Sequence, residues 1–171
     1  MSAEDDAREL LSTAWAGPPN AGQVELPVDP FAIAQALGIK AFSAALDNGV
    51  SGMLVKRAGE DAEIYVHAAD SQNRQRFTCA HELGHYIRRT AAEDTEWEYI
   101  EHRDLLTSQG TSPDEIYANQ FAAALLMPRE VVEARFHELG SRGLGVAPSL
   151  AVEFGVSADA MQFRLKNLGL V

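Results

Sequence analysis

Phe77-Thr78-Cys79-Ala80-His81-Glu82-Leu83-Gly84-His85 is the stretch on which the reading of this chain turns. Asp70 or Ser71 can cap a helix that carries Phe77, Ala80, His81, Gly84 and His85 at helical spacing. Positions i and i+4 share a helix face, so the imidazoles of His81 and His85 can reach one ion. Glu82 is turned from His81 by about a hundred degrees, given 3.6 residues per turn. Its carboxylate therefore stands beside the ion, not on it. Zinc held by two His and one carboxylate keeps a fourth position for water and lowers that water's pKa toward about 7. A neighbouring carboxylate can then accept the proton. This is hydrolytic chemistry, usually directed at a peptide bond. The bland alternative is a surface helix with two unrelated histidines. Gly84 argues for a close approach by another backbone, at some cost in helix propensity.

A third ligand has to come from elsewhere in the chain. His67, His102, His137 and many carboxylates are available, and Glu115 stands out. Ser112-Pro113-Asp114-Glu115 is a helix start, and the helix should run to Met127, where Pro128 stops it. Residues 115–127 are apolar nearly all round, which predicts a buried helix. Glu115, Ala118, Asn119 and Ala122 share one face of it. A charge on a buried face needs a partner, and a metal ion is a good one. Ser112-x-x-Glu115 is equally a capping box, in which Glu115 only satisfies a backbone N–H. Spacing alone leaves the two readings even. Asn119 could hydrogen-bond the remaining nitrogen of a ligating His, or serve the backbone as a buried amide.

Working outward, Leu10, Leu11 and Trp15 among charges predict a short helix over residues 4–15, ended by Gly17-Pro18-Pro19-Asn20. Asp29-Pro30 should cap and open a second helix with Phe31, Ile33, Ala34 and Leu37 as its apolar face. Three strands are expected at Ile39–Ala44, Gly52–Lys56 and Glu63–His67. The spacers between them, Asp47-Asn48-Gly49 and Arg57–Ala62, have the residues hairpins need. Residues 93–104 are dense in acid and could be helix or loop. Beyond Pro128 a helix should reach about Leu139, and short helices near 148–154 and 158–168 flank Gly155. Helix, sheet, then helices reads as α+β, with a small, mainly antiparallel three-stranded sheet. At 171 residues the chain fits one domain, 1–171, that includes the C-terminal helices.

Composition narrows the function. There are 14 Lys+Arg against 25 Asp+Glu, a net charge of -11, which disfavours nucleic-acid backbones and anionic membranes. The longest apolar run, Phe121 to Met127, is far short of the roughly 20 residues that span a bilayer. The acidic start Met-Ser-Ala-Glu-Asp-Asp is unlike a signal peptide. Cys79, the single cysteine, cannot form an internal disulfide and is expected to be a small core residue. A cytoplasmic protein is expected. Helix-turn-helix spacing around Ala151, Gly155 and Met161 has only Arg164 and Lys166 as basic residues, so two packed helices are favoured. Tyr86, Tyr99, Tyr117 and His102 are each able to stabilise an oxyanion, although packing or surface roles are commoner.

Arg76 to His85, followed by Ala118-Asn119-Gln120-Phe121-Ala122-Ala123-Ala124-Leu125-Leu126-Met127-Pro128, resembles the ImmA/IrrE family of metallopeptidases. Pro27-Val28-Asp29-Pro30, Ile33-Ala34, Leu37-Gly38-Ile39 and Gly52-Met53-Leu54 are similar to its N-terminal half. Phe154-Gly155-Val156-Ser157, Met161, Arg164-Leu165 and Leu168-Gly169 are similar to its ending. The resemblance covers about residues 27–169 and implies a zincin-like helical core. It further implies one Zn2+ per chain on His81, His85 and Glu115, with Glu82 as general base. The implied substrate is a partner repressor of the Xre helix-turn-helix type, whose cleavage relieves repression. Arg89 departs from the pattern, since the family often has another His there. That bears on surrounding contacts, not on the ligands. Two other readings are a non-catalytic, zinc-containing regulator of a repressor or toxin-like partner, and a DNA-binding regulator. An intact His-Glu-x-x-His argues against the first and the net charge against the second.

Overall fold

The computed structural model describes residues 2–15, 24–92, 112–140 and 145–171, and the backbone of 100–103. In chain order the elements are α1 (Ala3–Ala14), α2 (Pro30–Ala36), β1 (Lys40–Ala44), β2 (Val50–Val55), β3 (Glu63–His67), α3 (Gln72–Ala91), β4 (Ile100–Arg103), α4 (Pro113–Leu126), α5 (Arg129–Gly140), α6 (Val146–Phe154) and α7 (Ala158–Asn167). The architecture is α+β, as the element order predicts. The turn expected at Gly17–Asn20 lies outside the described residues, as do 93–99 and 104 of the acidic stretch.

Local chemistry sets the helix ends. Ser2 and Asp5 form a reciprocal capping box on α1, whose first turn also carries Glu4 and Asp6 against the helix dipole. Asp29 caps α2 by accepting from the Phe31 N–H, with Pro30 at the first position. Ser71, the second of the two residues proposed for the role, caps α3 by accepting from the Arg74 N–H. Gly155 closes α6 in the left-handed conformation (φ 62°), which a side chain rarely adopts.

The sheet has the order β1-β3-β2-β4. The three expected strands are present, and β2–β3 is the expected antiparallel hairpin, pairing Gly52 with Val66 and Leu54 with Ile64. Two features differ from expectation. First, β1 does not pair with β2 across Asp47-Asn48-Gly49. It runs parallel to β3, from Lys40 opposite Glu63 to Ala44 opposite His67. Second, a fourth strand, β4, forms in the acidic stretch and lies antiparallel to β2. The sheet stays mainly antiparallel. The physical reason is burial. β2 is buried along most of its length and takes a central place, whereas β1 has no fully buried residue, with Lys40, Phe42 and Ser43 exposed, and suits an edge. The β2–β4 register slips between Val50 and Gly52, so Ser51 has the character of a bulge residue.

One apolar cluster links every layer. α1 supplies Ala7 and Leu11, the sheet Leu54 and Ile64, α3 Leu83, α4 Phe121 and Leu125, and the last helices Phe154 and Met161. Cys79 is fully buried there, and burial pushes its thiol well up, so it is an inert core residue. Arg164 on α7 is buried too. Its guanidinium donates to both carboxylate oxygens of Glu4 on α1, at 3.1 and 2.6 Å, and to the Met127 carbonyl at 3.0 Å. One of the two basic residues in the helix-turn-helix spacing is therefore spent on joining the ends of the chain. Among the described residues no helix is long and apolar enough to cross a membrane.

Candidate metal centre

α3 and α4 cross closely because Gly84 lacks a side chain. A Cβ there would stand 3.1 Å from the Ala118 Cα and 3.1 Å from Phe121 Cδ1. The same crossing sets Glu115 and Asn119, on α4, against the two histidines of α3. His81 and His85 are buried, and their Nε2 atoms are 3.0 Å apart. Glu115 straddles them, with Oε2 3.3 Å from His81 Nε2 and Oε1 3.2 Å from His85 Nε2. These three residues form the group able to hold a metal ion among the described residues.

The donor set fits a cation. Tetrahedral zinc with bonds of about 2.0–2.1 Å separates its ligand atoms by about 3.3–3.4 Å, close to the spacing found. Asn119 Oδ1 lies 3.0 Å from His81 Nδ1. As a carbonyl oxygen it can only accept, so His81 carries its proton on Nδ1 and turns the Nε2 lone pair toward Glu115 and His85. Glu115 resolves the two readings of Ser112-x-x-Glu115 by separating its atoms. Its backbone N–H is capped by Ser112 Oγ at 3.2 Å, and its carboxylate goes to the imidazoles.

Glu82 faces elsewhere, as the helix rotation requires. It is fully buried on the side of α3 under β2. A Cβ on Gly52 would come within 3.1 Å of Glu82 Oε1 and would collide with Thr78 Cγ2. The Ser51 irregularity brings β2 down here, since Ser51 Oγ also meets α3, accepting from Arg74 at 2.8 Å. Burial holds the Glu82 carboxyl well above the ordinary carboxylate range, and the charge of Glu115 adds to the effect. A cation on the three ligands would oppose both.

His67 and His137 lie outside this group of three. His67 accepts from the Ala69 N–H in the turn after β3, and His137 lies on α5 beside Phe136. The Tyr117 hydroxyl donates to Asp6 of α1 at 2.5 Å, which directs it away from a reacting carbonyl. Tyr86 packs against the core. Tyr99 and the His102 side chain lie outside the described residues. Arg88 pairs with Asp114 at 2.6 Å and lies over the Tyr117 ring. Sequence reasoning missed Gly52 and Thr78 as neighbours of Glu82. The i, i+4 spacing of Thr78 and Glu82 on one helix was the signal for the first, and the Gly52-Met53-Leu54 strand for the second.

An α+β fold with two helical histidines and a carboxylate converging on one point, and a buried glutamate beside them, has the construction of a metallopeptidase. The family model of Peptidase_M78, described as the IrrE N-terminal-like domain, matches residues 34–166. The chain belongs to this family, so the ImmA/IrrE resemblance of its motifs is correct. No curated protein gives a significant match. The matched residues include both histidines, Glu82 and Glu115, and leave α1 outside.

Proposed function

We propose that the chain is a zinc-dependent endopeptidase acting in the cytoplasm, with residues 1–171 working as one catalytic domain. His81, His85 and Glu115 would hold the ion. When bound, zinc would polarise the scissile carbonyl and acidify a water molecule. Glu82 takes a proton from the attacking water and returns it to the leaving amine. Asn119 holds the His81 ring in the tautomer that ligation needs. The observation that carries this reading is the convergence of His81 Nε2, His85 Nε2 and the two carboxylate oxygens of Glu115, with contacts of 3.0–3.3 Å between α3, which also buries Glu82, and α4. The substrate we propose is a repressor of the Xre helix-turn-helix type, whose cleavage would relieve repression. That class is what the ImmA/IrrE resemblance of the motifs implies, and the family match supports the peptidase part of the reading.

The test is Glu82→Gln against wild type, both loaded with zinc and incubated with an Xre-type repressor encoded nearby. The variant should retain the metal and lose cleavage by at least about a hundredfold, the usual contribution of a positioned acid–base group. Normal cleavage by Glu82→Gln would remove Glu82 from the mechanism.

A further inference from the structure

Thr13, Thr78 and Thr90 are the helical threonines among the described residues. A threonine in a helix commonly spends its hydroxyl on a carbonyl one turn back. Thr13 does so on the Glu9 carbonyl at 3.0 Å, and Thr90 on the Tyr86 carbonyl at 2.9 Å. Thr78 does not. It is fully buried, and its Oγ1 has no hydrogen-bond partner among the described residues. Leaving a buried hydroxyl unmatched destabilises a fold, and an apolar group of the same shape would serve packing as well or better. The hydroxyl therefore needs a reason other than stability.

Its position supplies one. Thr78 lies one turn before Glu82 on the same face of α3. Both side chains sit beneath Gly52 of β2. The point where a Gly52 Cβ would stand is 3.1 Å from Glu82 Oε1, and Thr78 Cγ2 is nearer still. Arg74, a further turn back, is held by Ser51 and Asp70. Thr78 is the polar group between these residues and Glu82. Cβ atoms one turn apart are about 5–6 Å from each other. Glu82 reaches three bonds beyond its own Cβ, so side-chain rotation alone brings its carboxylate to Thr78 Oγ1.

The chemistry of the two groups is complementary. A hydroxyl has one proton to donate and two lone pairs, whereas a carboxylate only accepts and a carboxylic acid can donate. One hydroxyl thus serves Glu82 before and after it takes the proton of the attacking water, and keeps its own proton throughout. We propose that Thr78 is the positioning residue of Glu82. Its Oγ1 hydrogen-bonds one carboxylate oxygen in the zinc-loaded chain and leaves the other aimed at the water. The inference rests on the peptidase reading and deepens it by one residue.

The experiment compares Thr78→Val, which keeps the shape and removes the hydroxyl, with Thr78→Ser, which keeps the hydroxyl. Both are made in the full chain, loaded with zinc and given the same Xre-type repressor. Thr78→Val should lower kcat about tenfold or more, as loss of a hydrogen bond to a charged group does, with KM and zinc content unchanged. Thr78→Ser should stay within about twofold of wild type. Thr78→Ala replaces Thr78→Val where the latter fails to fold. Heat unfolding of the zinc-loaded chain is the second readout. Thr78→Val should lower Tm by about 2 °C more beside Glu82 than in a Glu82→Met background, since only the first has a partner to lose. Wild-type kcat in Thr78→Val, a Thr78→Ser as slow as Thr78→Val, loss of zinc along with kcat, or equal Tm effects in the two backgrounds would overturn the proposal. A wild type that cleaves beside an unimpaired Thr78→Val sinks the positioning role alone. Coupled Tm values with no cleavage by the wild type sink the peptidase reading alone.

Discussion

A Cβ placed on Gly84 would stand 3.1 Å from the Cα of Ala118, so the two helices that build the metal centre touch through a residue with no side chain. The obstacle is backbone and the Phe121 ring, which have little room to give. That contact fixes where α4 presents Glu115 and Asn119 to the histidines.

Gly84→Ala follows directly. Alanine is the better helix former by about 1 kcal/mol, whereas overpacking a close contact costs about 1–3 kcal/mol. The contact dominates. Net destabilisation of about 1 kcal/mol should lower Tm by about 2–4 °C for a chain of this size. Displacement of α4 should also weaken zinc binding, read by competition with a chelator. A variant as stable and as tight for zinc as wild type would show that the crossing is not limiting.

The two halves of the Ser112–Glu115 relationship separate by mutation. Ser112→Ala removes the cap and should cost about 1 kcal/mol, with zinc affinity nearly kept. Glu115→Ala removes a metal ligand and should abolish stable zinc binding at a comparable cost in metal-free stability. Unfolding curves with and without zinc distinguish them. Equal zinc affinity in wild type and Glu115→Ala would return Glu115 to a capping role.

The Glu4–Arg164 clamp predicts a pH dependence. Burial alone would raise the Glu4 carboxyl, but the hydrogen bond and charge of Arg164, with Arg129 and Arg8, outweigh it and leave it lowered. A carboxyl lowered on folding stabilises the fold above its unfolded value of 4.5, and that stability is lost as pH falls through the folded value. Glu4→Gln should therefore be less stable than wild type at pH 7, by about 1–2 kcal/mol for this partly exposed partner of a buried arginine. The gap should close as the solution is taken below pH 4.5. Denaturant unfolding at a series of pH values checks it, and a gap independent of pH would contradict the assignment.

Much of the fold was legible where one segment carries its own signal. The caps at Ser71, Asp29 and Ser112, the helices from α2 onward, the β3 boundaries and the faces of His81 and His85 all follow from spacing within a few turns. What was not legible is non-local. Asp47-Asn48-Gly49 reads as a hairpin turn, yet β1 passes β2 and lies parallel to β3, because the buried centre of the sheet goes to the most apolar strand. β4 hides in an acidic stretch and takes its pairing from β2. The descent of Gly52 onto Glu82 depends on an irregularity at Ser51 that no local pattern announces. Glu4 and Arg164 meet from opposite ends of the chain.

The most direct test is metal content by mass spectrometry, on protein purified without chelators or a metal-affinity tag. The account predicts about one zinc per chain in wild type, as expected of a single His–His–carboxylate site, and loss of that zinc in His81→Ala. Absence of metal in wild type, with no uptake when zinc is supplied, would contradict it.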